Sequence, residues 1–433
     1  MEIFDQKIES LLEESFMSSF GTVQKVRRDS VKVMLPKAKV GALCKIESEK
    51  GSHLVEIVSL DPEGHVGMPL ETLDGVQLND RVILELEKAE VPVGNGLLGK
   101  VIDSMGVDYD SHQVCGRDHI ALYGSVTNPL SRVPIREPID LGVKAINGIL
   151  SCGRGQRQGI FAGSGVGKSI LMGMISRFTS ADVVVIGLIG ERGREVREFL
   201  DESMGPEGRK KSVVVVETAD RSAVRRVRGA YAATAVAEYF RMQGKQVLLM
   251  MDSLTRFAMA QREIGLAAGE PPTSKGYTPS VFSHLSKLVE RAGNWGKAGS
   301  ITGIYTVLVE GDDLEDPIAD SSRAILDGHI VLSRKLANRG HYPAIDILQS
   351  VSRVMDKVIS HNQLQNAKKT KEILARYLEN EDAIQYGMYT RGSDPLIDEA
   401  INLEPRIVQF LRQDSKERVS FTDTVEQLHK VLS

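Results

Sequence analysis

The sequence lacks the features that mark secreted, disulfide-rich and membrane-spanning proteins. Cysteine occurs only at positions 44, 115 and 152 of 433 residues, so neither a disulfide framework nor a cysteine metal cluster is expected. No apolar run approaches the roughly 18 residues that a membrane span needs. The first residues have neither the cationic nor the apolar segment of a signal peptide. We therefore expect a cytoplasmic protein.

An excess of positive charge is also missing. The formal net charge is −4, so no global basic field attracts nucleic acid or an anionic membrane. Phe, Tyr and Trp are absent between Gly21 and Val91. A barrel that binds single-stranded nucleic acid needs such rings to stack the bases, so specific nucleic-acid binding is disfavoured. The length predicts about three domains.

Hydrophobic patterning divides the chain into segments that we predict to span 1–18, 19–90, 91–355 and 356–433. Segment 1–18 has the spacing of a short amphipathic helix, which either packs on its own domain or docks on a partner protein. Its apolar residues are Ile3, Phe4, Ile8, Leu11, Leu12 and Phe16. Segment 19–90 has short alternating runs separated by turn-like residues, which predicts an all-β domain and most simply a barrel.

Segment 91–355 has the pattern of an α/β domain. Near-continuous apolar runs alternate with helix-like stretches, as expected for parallel strands buried on both faces. These runs lie at 183–186, 213–216, 247–251 and 305–309. The predicted fold class is therefore α/β, with an N-terminal β-barrel and a C-terminal helical domain.

The C-terminal segment has helical spacing and two candidate helix starts. Asp394 followed by Pro395 predicts an N-cap with proline at the first helical position. Asp423 with Glu426 three residues later predicts the cap of the last helix.

The sharpest motif is a glycine-rich loop between a predicted strand and a predicted helix. It consists of Gly163, Ser164, Gly165, Val166, Gly167, Lys168 and Ser169. The glycines let successive N–H groups point at phosphate oxygens, and the positive end of the helix adds to the attraction. Lys168 is expected to reach the β- and γ-phosphates, and the Ser169 hydroxyl to ligate Mg²⁺. Ala162 stands where the general pattern has its first glycine, which is a mild change.

Two acidic residues end neighbouring apolar runs. Asp252 follows the run at 247–251 and could hold the hydration shell of Mg²⁺, although an acidic helix cap is the alternative. Glu191 closes another strand and could orient the water that attacks a γ-phosphate. Arg192 could stabilise the charge that develops there. A solvated loop of mixed charge is the alternative for Glu191 and Arg192.

Two residues near 350 suit the same chemistry. Arg353 could compensate transition-state charge, even from a neighbouring subunit, but a structural or surface arginine is the default. Tyr342, held before Pro343, could stack on adenine, and core packing is its alternative. The acidic loop at 312–316 is expected to be solvated rather than a metal site. The arginines between 221 and 228 are expected on a solvated or intersubunit face.

Together these motifs resemble the rotary-ATPase α/β-subunit family. Residues 343–352 match its signature, P-[SAP]-[LIV]-[DNH]-x-x-x-S-x-S, at every fixed position. More narrowly, the chain resembles the flagellum-specific ATPases of the type III export apparatus. The stretches that carry this likeness are 190–196, 251–258, 261–266, 269–272, 276–282, 340–346 and 392–395. Ala162 also fits this family, whose loop often begins with alanine. Virulence-type ATPases share most of these motifs.

The resemblance implies a central RecA-like P-loop ATPase domain and Mg²⁺-dependent ATP hydrolysis by a homohexamer. It implies that Lys168 and Ser169 bind phosphate and Mg²⁺, that Asp252 is the metal-side acid, and that Glu191 activates water. Arg353 would act on the nucleotide of the next subunit, and Tyr342 would face adenine.

The resemblance also implies partners and a location. A stator-like regulatory protein would bind the arm at 1–18, and export chaperone–substrate complexes and the export gate would be further partners. The protein would then be peripheral at the cytoplasmic face of the inner membrane, where hydrolysis energises export of flagellar proteins. The alternatives are an injectisome ATPase, a rotary ATP synthase subunit, a Rho-like RNA translocase and a non-enzymatic scaffold.

Overall fold

The computed structural model describes residues 20–124, 128–309, 311, 313 and 315–433. The predicted amphipathic arm at 1–18 and Asp312 of the acidic loop lie outside the described residues. Within these ranges, none of the helices combines the length and the apolar character that crossing a bilayer requires.

The N-terminal part is a closed six-stranded β-barrel, which confirms the predicted barrel. Its strands are β1 (Phe20–Val26), β2 (Val31–Met34), β3 (Leu43–Ser48), β4 (Gly51–Ser59), β5 (His65–Pro69) and β6 (Arg81–Leu86). They pair in the order β1-β2-β5-β4-β3-β6, and β1 closes the barrel on β6 with Gly21 opposite Val82. Alternate side chains such as Val31 and Val33 are buried inside, as the period of two requires.

A predominantly parallel sheet forms the centre of the molecule. The remaining strands are β7 (Glu90–Val93), β8 (Val101–Ile102), β9 (Asp118–Ala121), β10 (Arg157–Ala162), β11 (Val183–Glu191), β12 (Ser212–Thr218), β13 (Gln246–Asp252), β14 (Gly293–Asn294), β15 (Ser300–Leu308), β16 (Gly328–Leu332) and β17 (Ile345–Ser352). The sheet order is β17-β16-β10-β15-β13-β11-β12-β8, while β14 pairs with β15, and β7 with β9 in a separate ribbon. Strands β14 and β17 run antiparallel to their neighbours.

Helices cover the sheet and form the C-terminal part. They are α1 (Lys144–Ile149), α2 (Lys168–Phe178), α3 (Gly193–Glu198), α4 (Gly205–Lys210), α5 (Ala223–Met242), α6 (Leu254–Ala267), α7 (Pro279–Val289), α8 (Pro317–Ile325), α9 (Arg334–Asn338), α10 (Met355–Val358), α11 (His361–Glu379), α12 (Glu381–Gln385), α13 (Pro395–Leu411) and α14 (Phe421–Leu432). A π-helical turn, Phe199–Met204, joins α3 to α4. The β11, β12 and β13 strands are buried almost throughout, as the apolar runs predict.

Of the two helix N-termini predicted in the C-terminal segment, one is confirmed and one is wrong. The Asp394 side chain accepts hydrogen bonds from the N–H groups of Leu396 and Ile397, with Pro395 in the first turn. The predicted cap of the last helix is wrong, because Ser420 rather than Asp423 occupies it. The Ser420 hydroxyl accepts from the Asp423 N–H, and it also donates to the Asp423 carboxylate.

A buried ion pair joins the barrel to the sheet domain. Arg228 on α5 is fully buried, and its Nη1 donates to Oε2 of Glu56 on β4 at 2.7 Å. Tyr123 also donates its hydroxyl hydrogen to Glu56. The expectation of a solvated or intersubunit face is therefore wrong for Arg228. It is also wrong for Arg225, which is buried against Glu217.

Candidate active site

The glycine-rich loop links the end of β10 to the start of α2. Gly165 and Gly167 have φ angles of 76° and 91°, a region that side-chain-bearing residues rarely adopt. Gly167 is the residue before the helix, and Lys168 is its first residue. The unpaired N–H groups and the positive dipole end of α2 therefore form an anion site. Ser164, Gly165 and Ser169 are exposed, so a ligand can reach it.

Lys168 bridges the two carboxylates that the sequence singled out. Its Nζ lies 2.5 Å from Oδ1 of Asp252 and 3.5 Å from Oε1 of Glu191. The three side chains are only 13%, 6% and 12% exposed, in the order Lys168, Asp252, Glu191. They meet because β11 and β13 run parallel to the strand before the loop, so all three strands end at one edge of the sheet.

Burial and mutual contact set the charges at this edge. Burial, reinforced by the nearby Asp252 carboxylate, raises the pKa of Glu191 to about 7, against the opposing effect of Lys168. Burial acts to lower the pKa of Lys168, but the carboxylates of Asp252 and Glu191 outweigh it and raise that pKa. The lysine is thus a cation, and Glu191 can change its protonation state near neutral pH.

The donor set at this edge suits Mg²⁺ bound together with a phosphate. Ser169 is exposed and directly follows Lys168, whose Nζ contacts the Asp252 carboxylate, and both a serine hydroxyl and a carboxylate are hard oxygen ligands. No cluster of three or more His, Cys, Asp or Glu residues that could hold a metal is found in the described ranges. Mg²⁺ commonly keeps several waters and takes phosphate oxygens as ligands, so a site with few protein ligands fits it.

Tyr342 lies against the loop, whereas the Arg192 side chain is exposed and contacts Glu195. A methyl group placed on Gly167 would lie 3.5 Å from two ring carbons of Tyr342, whose side chain is 45% exposed. Tyr342 is therefore an accessible ring beside the anion site. Arg192 follows Glu191, but its side chain is 79% exposed and its Nη1 lies 3.4 Å from Glu195.

Arg353 lies at the opposite edge of the sheet from the loop. Strand β17 runs antiparallel to β16, so Ser352 pairs with Gly328, where β16 begins. The exposed Arg353 guanidinium donates to the carbonyls of Leu326 and Arg323 at 3.2 and 3.1 Å. Within one chain, Arg353 is therefore not brought together with Lys168.

Sequence reasoning missed one residue at the site, Thr306. Its fully buried hydroxyl lies 2.6 Å from Oδ1 of Asp252, to which it donates. The signal was a threonine in the apolar run at 305–309, which covers the carboxyl end of β15 (Ser300–Leu308). A polar group at that end of a buried strand has to find a partner at the same edge as the site.

The acidic loop carries ordinary surface interactions. Lys275 Nζ lies 3.0 Å from Asp316 and 3.7 Å from Asp313. The Asp316 side chain also accepts from the N–H of Ile318 and so caps α8. The described acidic residues Asp313 and Asp316 therefore take part in surface ion pairs and a helix cap.

Comparison with known proteins places this site in a family. Residues 142–352 match the ATP synthase alpha/beta family, nucleotide-binding domain. Residues 359–430 match the T3SS EscN ATPase C-terminal domain. The first match covers the loop, both carboxylates, Thr306 and Tyr342.

Two curated relatives extend the likeness over most of the chain. The flagellum-specific ATP synthase of Pseudomonas aeruginosa is 50% identical over 403 residues, which cover 92% of this chain and 89% of the relative. The type 3 secretion system ATPase of Sinorhizobium fredii is 48% identical over 406 residues, which cover 93% and 90%.

A solved structure agrees with the fold. The assembled ATPase EscN of the enteropathogenic E. coli type III secretion system has a TM-score of 0.90 at 46% identity. The match covers 95% of this chain and 100% of EscN. A second structure shows EscN in complex with its central stalk EscO, with a TM-score of 0.88 at 45% identity, covering 95% and 100%. The predicted fold class and ATPase activity are thereby confirmed: the chain belongs to the family of flagellum-specific and type III secretion ATPases.

Proposed function

We propose that this chain hydrolyses ATP with Mg²⁺ as a homohexameric ring and that the energy drives export of flagellar proteins through a type III apparatus. The observation that carries the chemistry is the meeting of Lys168, Glu191 and Asp252 at the mouth of the phosphate loop. A cation between two buried carboxylates forms a preorganised site into which triphosphate oxygens can enter as new partners of the lysine.

Each residue has a distinct part in this proposal. The loop N–H groups bind the phosphates, and the Lys168 ammonium turns from the carboxylates to the β- and γ-phosphate oxygens. Glu191, released from the lysine, accepts a hydrogen bond from the attacking water and orients it in line with the γ-phosphorus. It takes up the proton of that water as the new P–O bond forms and the bond to the β–γ bridging oxygen breaks. Ser169 and Asp252 would hold Mg²⁺, which when bound neutralises charge on the phosphate oxygens. The exposed ring of Tyr342 would pack on adenine.

The two arginines would join the site in different ways, Arg353 from a neighbouring subunit and Arg192 within its own chain. Arg353 lies at the sheet edge opposite the loop of its own chain, so its proposed action is on the nucleotide of a neighbour. Arg192 starts in solvent beside Glu191 and would turn toward the γ-phosphate once ATP is bound. The assembled state of EscN supports a ring of this kind.

The partners follow from the family and are part of the same proposal. A stator-like regulatory protein would bind the arm at 1–18. The ring would receive export chaperone–substrate complexes and work beside the export gate, at the cytoplasmic face of the inner membrane. The complex of EscN with its stalk EscO supports binding of a partner by the assembled ring. The 48% identity with a type 3 secretion system ATPase favours an injectisome ATPase as the second candidate.

A first experiment tests the chemistry with the purified chain. Glu191→Gln should bind a fluorescent ATP analogue like wild type but lose at least about a hundredfold in turnover, because the amide cannot accept the proton of the water. Glu198→Gln is the matched control, since Glu198 lies on α3 just after the same strand, is 47% exposed and pairs with Arg194 rather than with Lys168. Turnover within about twofold of wild type in Glu191→Gln would remove Glu191 from its role.

A second experiment tests the biological role. The gene is deleted in its host, and swimming is measured together with flagellin outside the cell. Loss of both, restored by wild type but not by Lys168→Ala, would support flagellar export driven by nucleotide chemistry. Normal swimming with external flagellin would instead favour the injectisome or another rotary-family role.

A further inference from the structure

Two donors converge on one oxygen of Asp252. Lys168 Nζ lies 2.5 Å from Oδ1, and the Thr306 hydroxyl lies 2.6 Å from the same atom. Thr306 sits on β15, between β10, which leads into the phosphate loop, and β13, which ends in Asp252. The contact is therefore built from the central strands of the sheet.

The hydroxyl hydrogen of Thr306 has two acceptors to choose from. The carbonyl oxygen of Met251 lies 3.3 Å from the hydroxyl, which is longer than the 2.6 Å to Asp252 Oδ1. The shorter contact has the length of a charge-assisted O–H···O⁻ bond, so it takes the hydrogen. Thr306 is fully buried and its hydroxyl cannot turn to solvent instead.

The second oxygen of the carboxylate stays available. Among residues 20–124, 128–309 and 315–433, no donor forms a hydrogen bond with Oδ2 of Asp252. Two bonds to Oδ1 fix the plane of the carboxylate and leave Oδ2 as its free face. This is the arrangement that a bound cation or one of its waters requires.

We propose that Thr306 is a positioning residue that holds Asp252 in the orientation used by the divalent cation of the nucleotide site. This inference rests on the proposed ATPase function, in which Lys168 leaves Asp252 when phosphates bind. Thr306 is then the donor that remains on Oδ1, so the orientation of Asp252 in the nucleotide-bound protein depends on it.

The test measures cation binding directly, with Mn²⁺ as the probe. Mn²⁺ is added stepwise to the full-length protein, which is saturated with a non-hydrolysable ATP analogue. Electron paramagnetic resonance measures the free Mn²⁺ after each addition. Thr306→Val, which keeps the shape and removes the hydroxyl, should bind Mn²⁺ about tenfold or more weakly, the loss typical of outer-shell partners of metal ligands. Thr306→Ser, which keeps the hydroxyl, should bind within about threefold of wild type.

The matched control is Thr302→Val. Thr302 lies on the same face of β15, four residues earlier, and is equally buried, but its hydroxyl oxygen accepts from the Gly155 N–H. This variant should bind Mn²⁺ like wild type. Binding of a fluorescent ATP analogue in EDTA should be unchanged in all variants, because Thr306 acts on the cation and not on the loop. Thr306→Ala provides a second removal of the hydroxyl if Thr306→Val does not fold.

Two results would overturn the inference. Wild-type Mn²⁺ affinity in Thr306→Val or Thr306→Ala would show that Asp252 needs no support from this hydroxyl. Equal weakening in Thr302→Val would show a general effect of removing a buried hydroxyl from the strand. Failure of the proposed function is seen separately, because wild-type protein would then neither hydrolyse ATP nor bind Mn²⁺ with the analogue.

Discussion

Replacing Lys168 by methionine should destabilise the nucleotide-free protein, and more so at high pH. Lys168 is the cation between the buried carboxylates of Asp252 and Glu191, at 2.5 and 3.5 Å. Removing one partner of a buried ion pair costs about 3–5 kcal/mol, because the charge left behind stays unpaired. We expect about 3 kcal/mol at pH 6.5, where Glu191 is largely protonated.

The pH dependence follows from the protonation of Glu191. Burial and Asp252 hold its pKa at about 7 in the presence of Lys168, and loss of the lysine raises that pKa further. Above pH 7 the folded variant therefore keeps a proton that its unfolded chain has released. Its free energy of unfolding falls by about 1.4 kcal/mol per pH unit up to the new pKa. The wild-type protein has no such fall from Glu191 above pH 7.

Urea unfolding measures the decrease in the free energy of unfolding of Lys168→Met. The fluorescence of Trp295, the single tryptophan, reports on the domain that carries the site. Lys275→Met is the control, because Lys275 also has two carboxylate partners but is 54% exposed. Water and salt screen such a surface pair, so its loss should hardly change the free energy of unfolding. Equal unfolding midpoints for the two variants, or a loss that shrinks as the pH rises from 6.5 to 8.5, would refute the reasoning.

Two further predictions concern the domain junction and the rate. Arg228→Met leaves the buried Glu56 carboxylate without its cation, so it should cost about 3–5 kcal/mol in the same urea assay, and adding Glu56→Gln should recover part of this. A cost below about 1 kcal/mol would contradict the buried pair. The kcat/KM for ATP should rise with pH to a plateau with an apparent pKa near 7, since Glu191 must be ionised to accept from water. A flat profile from pH 5.5 to 8.5, with analogue binding measured in parallel, would contradict it.

The centre of the site could be predicted from the sequence because it depends on strand ends. The phosphate loop, Glu191 and Asp252 each close an apolar run, and parallel strands place their carboxyl ends at one edge of a sheet. Knowing that the sheet is parallel is therefore enough to bring Lys168, Glu191 and Asp252 together. The predicted barrel is similarly local, since alternation and turn residues determine it.

Features that depend on distant pairings could not be predicted. The bond from Thr306 to Asp252 requires the register between β13 and β15, which the sequence pattern does not contain. The far position of Arg353 depends on β17 running antiparallel to β16. Arg228 resembles a surface arginine because its partner Glu56 lies 172 residues away on another domain.

The central claim is that the active site is shared between subunits, and mixing two inactive variants tests it most directly. Arg353→Ala keeps its own Glu191 but cannot complete its neighbour's site, while Glu191→Gln still offers Arg353 to its neighbour but cannot hydrolyse ATP at its own site. In a ring assembled at random from equal amounts, about a quarter of the interfaces combine an intact Glu191 with an intact Arg353. The account predicts that each variant alone is inactive and that the mixture recovers about a quarter of the wild-type ATPase rate. A mixture as inactive as its two components, in rings proven to be mixed, would contradict it.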